Sequence, residues 1–144
     1  MSKIYFISGH LDLSQEEFDI HYKQKIVDAI HSTDNNCFVV GDSRGADTLG
    51  QKLLAYYCKN NQALYDRVIV YHMFQKPRNN VGAFKTIGGF QCDEDRDKAM
   101  IKASSEDILW IRSPEEQKKR LGAKYNPYHV SGTTKNMLRR EKCS

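Results

Sequence analysis

The sequence predicts an α/β fold of the Rossmann-like kind. That is a three-layer sandwich with a mainly parallel central sheet and helices on both faces. Two observations carry the expectation. Short runs of strand-forming residues alternate with longer stretches of helical spacing, and such alternation needs crossover connections between parallel strands. Polar, glycine-bearing loops follow the first two runs, where open sheets of this kind place ligand-binding groups. With 144 residues the chain is sized for one domain spanning residues 1–144.

The first strand is expected over residues 3–8 (KIYFIS), ended by Gly9. Residues 14–30 follow as a helix, because Phe18, Tyr22, Ile26 and Ile30 recur every four residues. Ser14 and Glu17 form a capping box at its start. Residues 37–40 (CFVV) are the second strand, with Cys37 expected to be a buried thiol. Residues 46–59 are helical, with Leu49, Leu53, Leu54 and Tyr57 on one stripe. Residues 67–72 (RVIVYH) are the third strand, and a long connection runs over residues 74–92. Such a length suits a lid or binding loop. Residues 93–103 read as a helix with Ala99 and Met100 inward, and residues 107–111 (DILWI) as the fourth strand. Shorter helices are expected near residues 114–121 and 133–140. The right-handed crossover rule then suggests a sheet order of 3-2-1-4.

Composition narrows the function. No apolar run approaches the roughly 20 residues of a membrane span, and the start MSKIYFISGH lacks the features of a signal peptide. Cys37, Cys58, Cys92 and Cys143 lie far apart without a CxxC pair, so no metal site is expected and the chain reads as reduced and cytoplasmic. The formal charge of +4 suits an anionic ligand. Much of it lies near the end, in Lys118, Lys119, Arg120, Lys124, Lys135, Arg139, Arg140 and Lys142, either as a solvated face or facing a ligand. Apolar helix faces leave room for a homodimer.

Four loops could carry chemistry. In GDSRGAD, residues 41–47, a strand ends and a helix begins, so free backbone N–H groups and the positive dipole end face outward. Gly41 allows a sharp exit, Gly45 a close ligand approach, and Arg44 a bidentate contact to an anion. Asp42 or Asp47 suits ribose hydroxyls or caps the helix, beside Ser43. The loop has neither GxGxxG spacing nor a Walker GKS/GKT ending, and no cofactor is expected. A second cradle is Ser131-Gly132-Thr133 before the last helix. The third loop is Ser8-Gly9-His10 with Asp12, where His10 and Asp12 offer acid/base groups or plain surface polarity. The fourth is Arg96, a cation near a helix start, where an anion or acid must meet it.

Taken together, ISGHLD, GDSRGADTLG, DRDKAM before DILWIR, and SGTT resemble the SLOG superfamily of Rossmann-like nucleotide-binding proteins. The small YpsA-related branch is the nearest in pattern. The cytokinin-activating phosphoribohydrolases and the DNA-processing protein A family are more distant. The resemblance implies a pocket for a nucleotide or nucleotide-derived ligand. Gly41, Ser43, Arg44, Gly45 and Asp47 would form one wall, and Ser131, Gly132 and Thr133 another. Arg96 would stand where the phosphoribohydrolases use an arginine. The pattern departs at Asn136, which occupies the place of their glutamate. Hydrolysis of an N-glycosidic bond passes through an oxocarbenium-like state that a carboxylate stabilises. An acid would then have to come from Asp12, Asp42 or Asp47. The alternatives are a non-catalytic sensor of a nucleotide signal and, less expected for want of aromatic residues in the basic segment, a nucleic-acid-binding module.

Overall fold

The computed structural model describes residues 2–143. Its strands are β1 (Ile4–Ile7), β2 (Cys37–Gly41), β3 (Val68–Met73), β4 (Lys85–Phe90) and β5 (Glu106–Ile108). They form a five-stranded, all-parallel sheet in the order β4-β3-β2-β1-β5. The helices are α1 (Gln15–His21), α2 (Lys23–Ser32), α3 (Ala46–Cys58), α4 (Gln62–Tyr65), α5 (Asp93–Ala103), α6 (Pro114–Leu121) and α7 (Gly132–Cys143). The fold is thus the Rossmann-like sandwich that the alternation predicts. Among the described residues no helix is long and apolar enough to cross a membrane.

Each central strand is apolar on both sides, as a sheet covered on both faces requires. Side chains alternate between the layers. Ile7, Phe38, Val40, Val68 and Val70 pack with Phe18, Tyr22, Ile26 and Leu54 of α1, α2 and α3. Phe6, Val39 and Tyr71 point the other way, onto Met100 and Ile101 of α5.

The sheet differs from expectation in one strand. The connection over residues 74–92 is not one long loop, because β4 lies within it and pairs with β3 as the outermost strand. Its residues KTIGGF are almost all exposed, so they lack the apolar signature of a covered strand. The crossover from β3 to β4 is anchored by buried Phe84, whose ring lies 5.6 Å from that of Tyr65.

Two boundaries also shift. The helix expected over residues 14–30 is split into α1 and α2 at Tyr22 (φ −122°, ψ −43°). The split seats Tyr22 in the core, where its hydroxyl donates to the Ser8 carbonyl at 2.7 Å and accepts the Trp110 N–H at 3.0 Å. That second bond explains why β5 stops at Ile108 and not at residue 111: the Trp110 amide is taken by a side chain, not by a strand. The capping box at Ser14 and Glu17 is present. Cys37 is half-buried, not buried, since it opens β2 near the sheet's end.

Candidate functional site

A cleft of about 310 Å³ opens at the carboxyl ends of β1 and β2, between α5 and the start of α7. Of the residues singled out in the sequence, Ser8, Gly9, His10, Asp12, Ser43, Asp47, Arg96, Ser131, Gly132 and Thr133 line it. Gly41, Asp42, Arg44 and Gly45 do not. Across His10, Gln117, His129 and Ser131 the cleft adjoins a second hollow of about 410 Å³, lined in part by Ile111, Pro114, Tyr125 and Pro127.

The loop after β2 is built for packing as much as for access. Gly45 has φ +75°, and a Cβ there would lie 2.3 Å from the His10 carbonyl oxygen. Its bareness thus lets two loops touch, not a ligand approach. The Ala46 N–H, at the start of α3, donates to that same carbonyl at 3.2 Å. Gly41 is crowded by side chains, since a Cβ would fall 2.4 Å from Asp47 Oδ2 and 2.9 Å from the Arg96 guanidinium carbon. Arg44 is exposed and stands outside the cleft.

Asp42 is fully buried and clasped by two arginines. It accepts the Arg78 amide at 2.8 Å, the Arg78 guanidinium at 2.9 Å and Arg96 Nη1 at 2.7 Å. Burial pushes its carboxyl up, but the Arg78 and Arg96 contacts outweigh that and hold it below the usual range. A carboxylate so occupied has no lone pair to spare for a ligand. Arg78 comes from the β3–β4 crossover, as does Asn79, whose amide donates to the Asp42 carbonyl at 2.9 Å.

Asp47 is different. Oδ2 accepts the Ser43 N–H at 3.1 Å, and the Arg96 guanidinium stays 3.9 Å away. Burial, aided by the neighbouring Asp97 charge, pushes its carboxyl up to about 7 despite Arg96. It therefore exchanges a proton near neutrality, and it lines the cleft.

Arg96 on α5 meets the acids that its position near a helix start demands. Nη1 bonds Asp42 and lies 3.1 Å from Asp93, while Nε and Nη2 bond Asp97 at 3.2 and 2.9 Å. Its donors are committed to protein carboxylates and the Ser43 hydroxyl. Asp97 also accepts from Asn136 at 3.1 Å, so the asparagine at the departure point is a buried strut between α7 and α5.

The loop after β1 presents three groups. Ser8 is 5% exposed, and its Oγ is the buried side-chain polar atom without a hydrogen-bond partner among the described residues. His10 accepts the Arg112 N–H on Nε2 at 3.0 Å, which places the ring proton on Nδ1. Burial and the Arg112 charge keep His10 below its ordinary value, so it is neutral. Asp12 is held by Arg112 at 2.6 Å and Arg120 at 2.9 Å. Burial raises its carboxyl, but these two cations win and lower it. Sequence reasoning missed Arg112, which is buried and also bonds Glu17 at 2.8 Å through both Nε and Nη2. The signal was present as a lone cation directly after an apolar strand run.

At the far wall, Ser131 caps α7: its Oγ accepts the Thr134 N–H at 3.1 Å. Gly132 has no atom within 4 Å of where a Cβ would sit, so the first turn of α7 is open on that side. Thr133 is buried against the cleft. Among the described residues no group of three or more His, Cys, Asp or Glu side chains could hold a metal ion. No family model matches the chain, and no curated protein and no solved structure shows significant similarity to it.

Proposed function

We propose that the protein binds a nucleotide or nucleotide-derived ligand in the β1–β2 cleft and hydrolyses its N-glycosidic bond there, and that it is a member of the SLOG superfamily. One observation carries the reading. A cleft of about 310 Å³ has an open helix N-terminus on one wall and, on the other, the buried carboxyl of Asp47, which no arginine clasps at hydrogen-bond distance among the described residues.

The charges give the ligand a direction. Asp47 at the start of α3 and Asp93 and Asp97 of α5 gather around Arg96, whose donors are already committed. A phosphate there would meet repulsion with no free cation among the described residues of that wall to answer it. At the start of α7 the Gly132 and Thr133 amides and the helix dipole favour an anion. Phosphate therefore rests on α7 and the sugar lies toward Asp47. The base or a further group extends past His129 into the second hollow. Asp47 is the group to stabilise the developing cation at the sugar and to move a proton. Asp12 and Asp42 are less suited, since both are clasped by arginines.

A second reading is binding without turnover, as in a sensor. It is favoured by the commitment of Asp12, Asp42 and Asp97 to arginines and by Asn136, which cannot replace an acid. A nucleic-acid role is disfavoured because Arg120, Arg139 and Arg140 are already paired with Asp12, Glu94 and Asp107.

The test is a thermal-shift screen with nucleoside mono-, di- and triphosphates, ADP-ribose and cyclic dinucleotides, followed by chromatography of each stabilising compound. Ligand at 100 times its dissociation constant adds about 2.7 kcal/mol. Recovery of free base and sugar phosphate supports hydrolysis. Recovery of intact ligand supports the sensor, and a flat screen rejects both.

A further inference from the structure

Ser8 is the feature that the fold leaves unexplained. Its backbone is tied on both sides: the N–H donates to Ile108 O at 3.1 Å, and the carbonyl accepts from Tyr22. Its side chain is free of any such tie. Alternation along β1 sends Phe6 toward α5, Ile7 toward α1 and α3, and Ser8 toward α5 again, into the cleft. A buried hydroxyl without a partner is costly, and native proteins rarely keep one without a use.

Its surroundings say what could satisfy it. Asp47 shares the same cleft, and among the described residues no hydrogen bond engages its Oδ1. Asp97 stands on the α5 wall. Carboxylate oxygens accept hydrogen bonds, while a serine hydroxyl both donates and accepts. The complementary group is one that donates at two adjacent points and carries no negative charge. A vicinal diol does this, and a phosphate does not.

We infer, on the reading of the cleft as a nucleotide site, that Ser8 and Asp47 bind the 2′- and 3′-hydroxyls of the sugar, so that the protein selects ribonucleotide-derived ligands over their 2′-deoxy counterparts. Removal of the 2′-hydroxyl strands Ser8 Oγ again, now beneath a bound ligand. That penalty corresponds to a loss of about tenfold to a hundredfold in affinity. An arabino sugar keeps the hydroxyl but points it to the other face of the ring, so it binds as poorly as the deoxy form.

The experiment is calorimetric titration of the full chain with AMP, GMP, CMP and UMP and with their 2′-deoxy and arabino counterparts. It is repeated with Ser8→Ala and Asp47→Asn. Tighter binding of ribo forms by about tenfold or more, with the preference shrinking toward unity in Ser8→Ala and both sugar forms weakened alike in Asp47→Asn, supports the inference. Equal binding of ribo and deoxy forms by the native chain overturns it and leaves the nucleotide reading standing. A preference that survives in Ser8→Ala also overturns it. If a variant does not fold, the arabino comparison on the native chain decides: ribo-like affinity refutes the role of the 2′-hydroxyl. If none of these nucleotides binds, the inference is overturned, and if the wider thermal-shift screen is flat as well, the nucleotide reading falls with it.

Discussion

Replacing Ser8 by alanine should leave the free protein as stable as before or more so and, on the proposed nucleotide reading, weaken its hold on ligand. The structure sets the magnitude. Ser8 Oγ is buried without a partner, so the folded state bears the desolvation cost of a hydroxyl and gains no bond for it. Such a group costs about 1–3 kcal/mol. Ser8→Ala removes the cost and a small volume, and the lost packing offsets part of the gain. A net stabilisation of up to about 1 kcal/mol follows, which raises Tm by about 2–4 °C in a chain of this size. Circular-dichroism melts with urea titration measure both quantities. A saturating nucleotide should reverse the order, since only the native chain gains a partner for the hydroxyl. Loss of more than about 1 kcal/mol in the free variant would mean that Ser8 Oγ is hydrogen-bonded in solution. The cleft would then not be built around an unmet hydroxyl.

Asp47 predicts an unusual pH dependence: its carboxyl titrates near 3.8 in the unfolded chain and about 7 in the fold, so the folded state holds the extra proton between these values. Stability from this group is complete below about pH 4 and falls as pH rises toward 7, by on the order of 4 kcal/mol. Asp47→Asn should flatten that slope and be the more stable protein at pH 8; an unchanged slope in urea melts would sink the assignment. Arg96→Met should cost about 3–5 kcal/mol, because Asp42 and Asp97 lose a buried partner; a loss below about 1 kcal/mol would show that the acids repack or take up protons at little cost. Gly45→Ala should cost at least about 2 kcal/mol, from its φ of +75° and the clash with the His10 carbonyl, and a wild-type melting curve would refute the tight loop contact.

Much of the site was legible in the chain. The apolar runs over β1, β2 and β3 mark the covered strands, and the loops after β1 and β2 do meet at the cleft. SGT at the start of α7 forms the opposite wall. Other features left no local trace. β4 is an edge strand whose residues KTIGGF are almost all exposed, so no apolar alternation marks it. Arg44 and Gly45 looked like ligand groups because they stand at a helix start. Yet Arg44 is outside the cleft, and Gly45 serves the contact with the β1 loop.

The sequence by itself determined the layer architecture, the order of the inner strands and the neighbourhood of the site. Periodicity records which faces are buried, and strand-end loops in a parallel sheet converge by topology. Only the tertiary structure decided which acids are available. Asp42 meets Arg96 from 54 residues away, and Asp12 meets Arg112 from 100. A charge becomes a strut or a reactive group through partners that distant chain segments bring to it, and through the water that packing removes. Neither is written in the residues beside it. Asp12, Asp42 and Asp47 look alike in the chain, and the fold clasps two of them with arginines and leaves the third to titrate near neutrality.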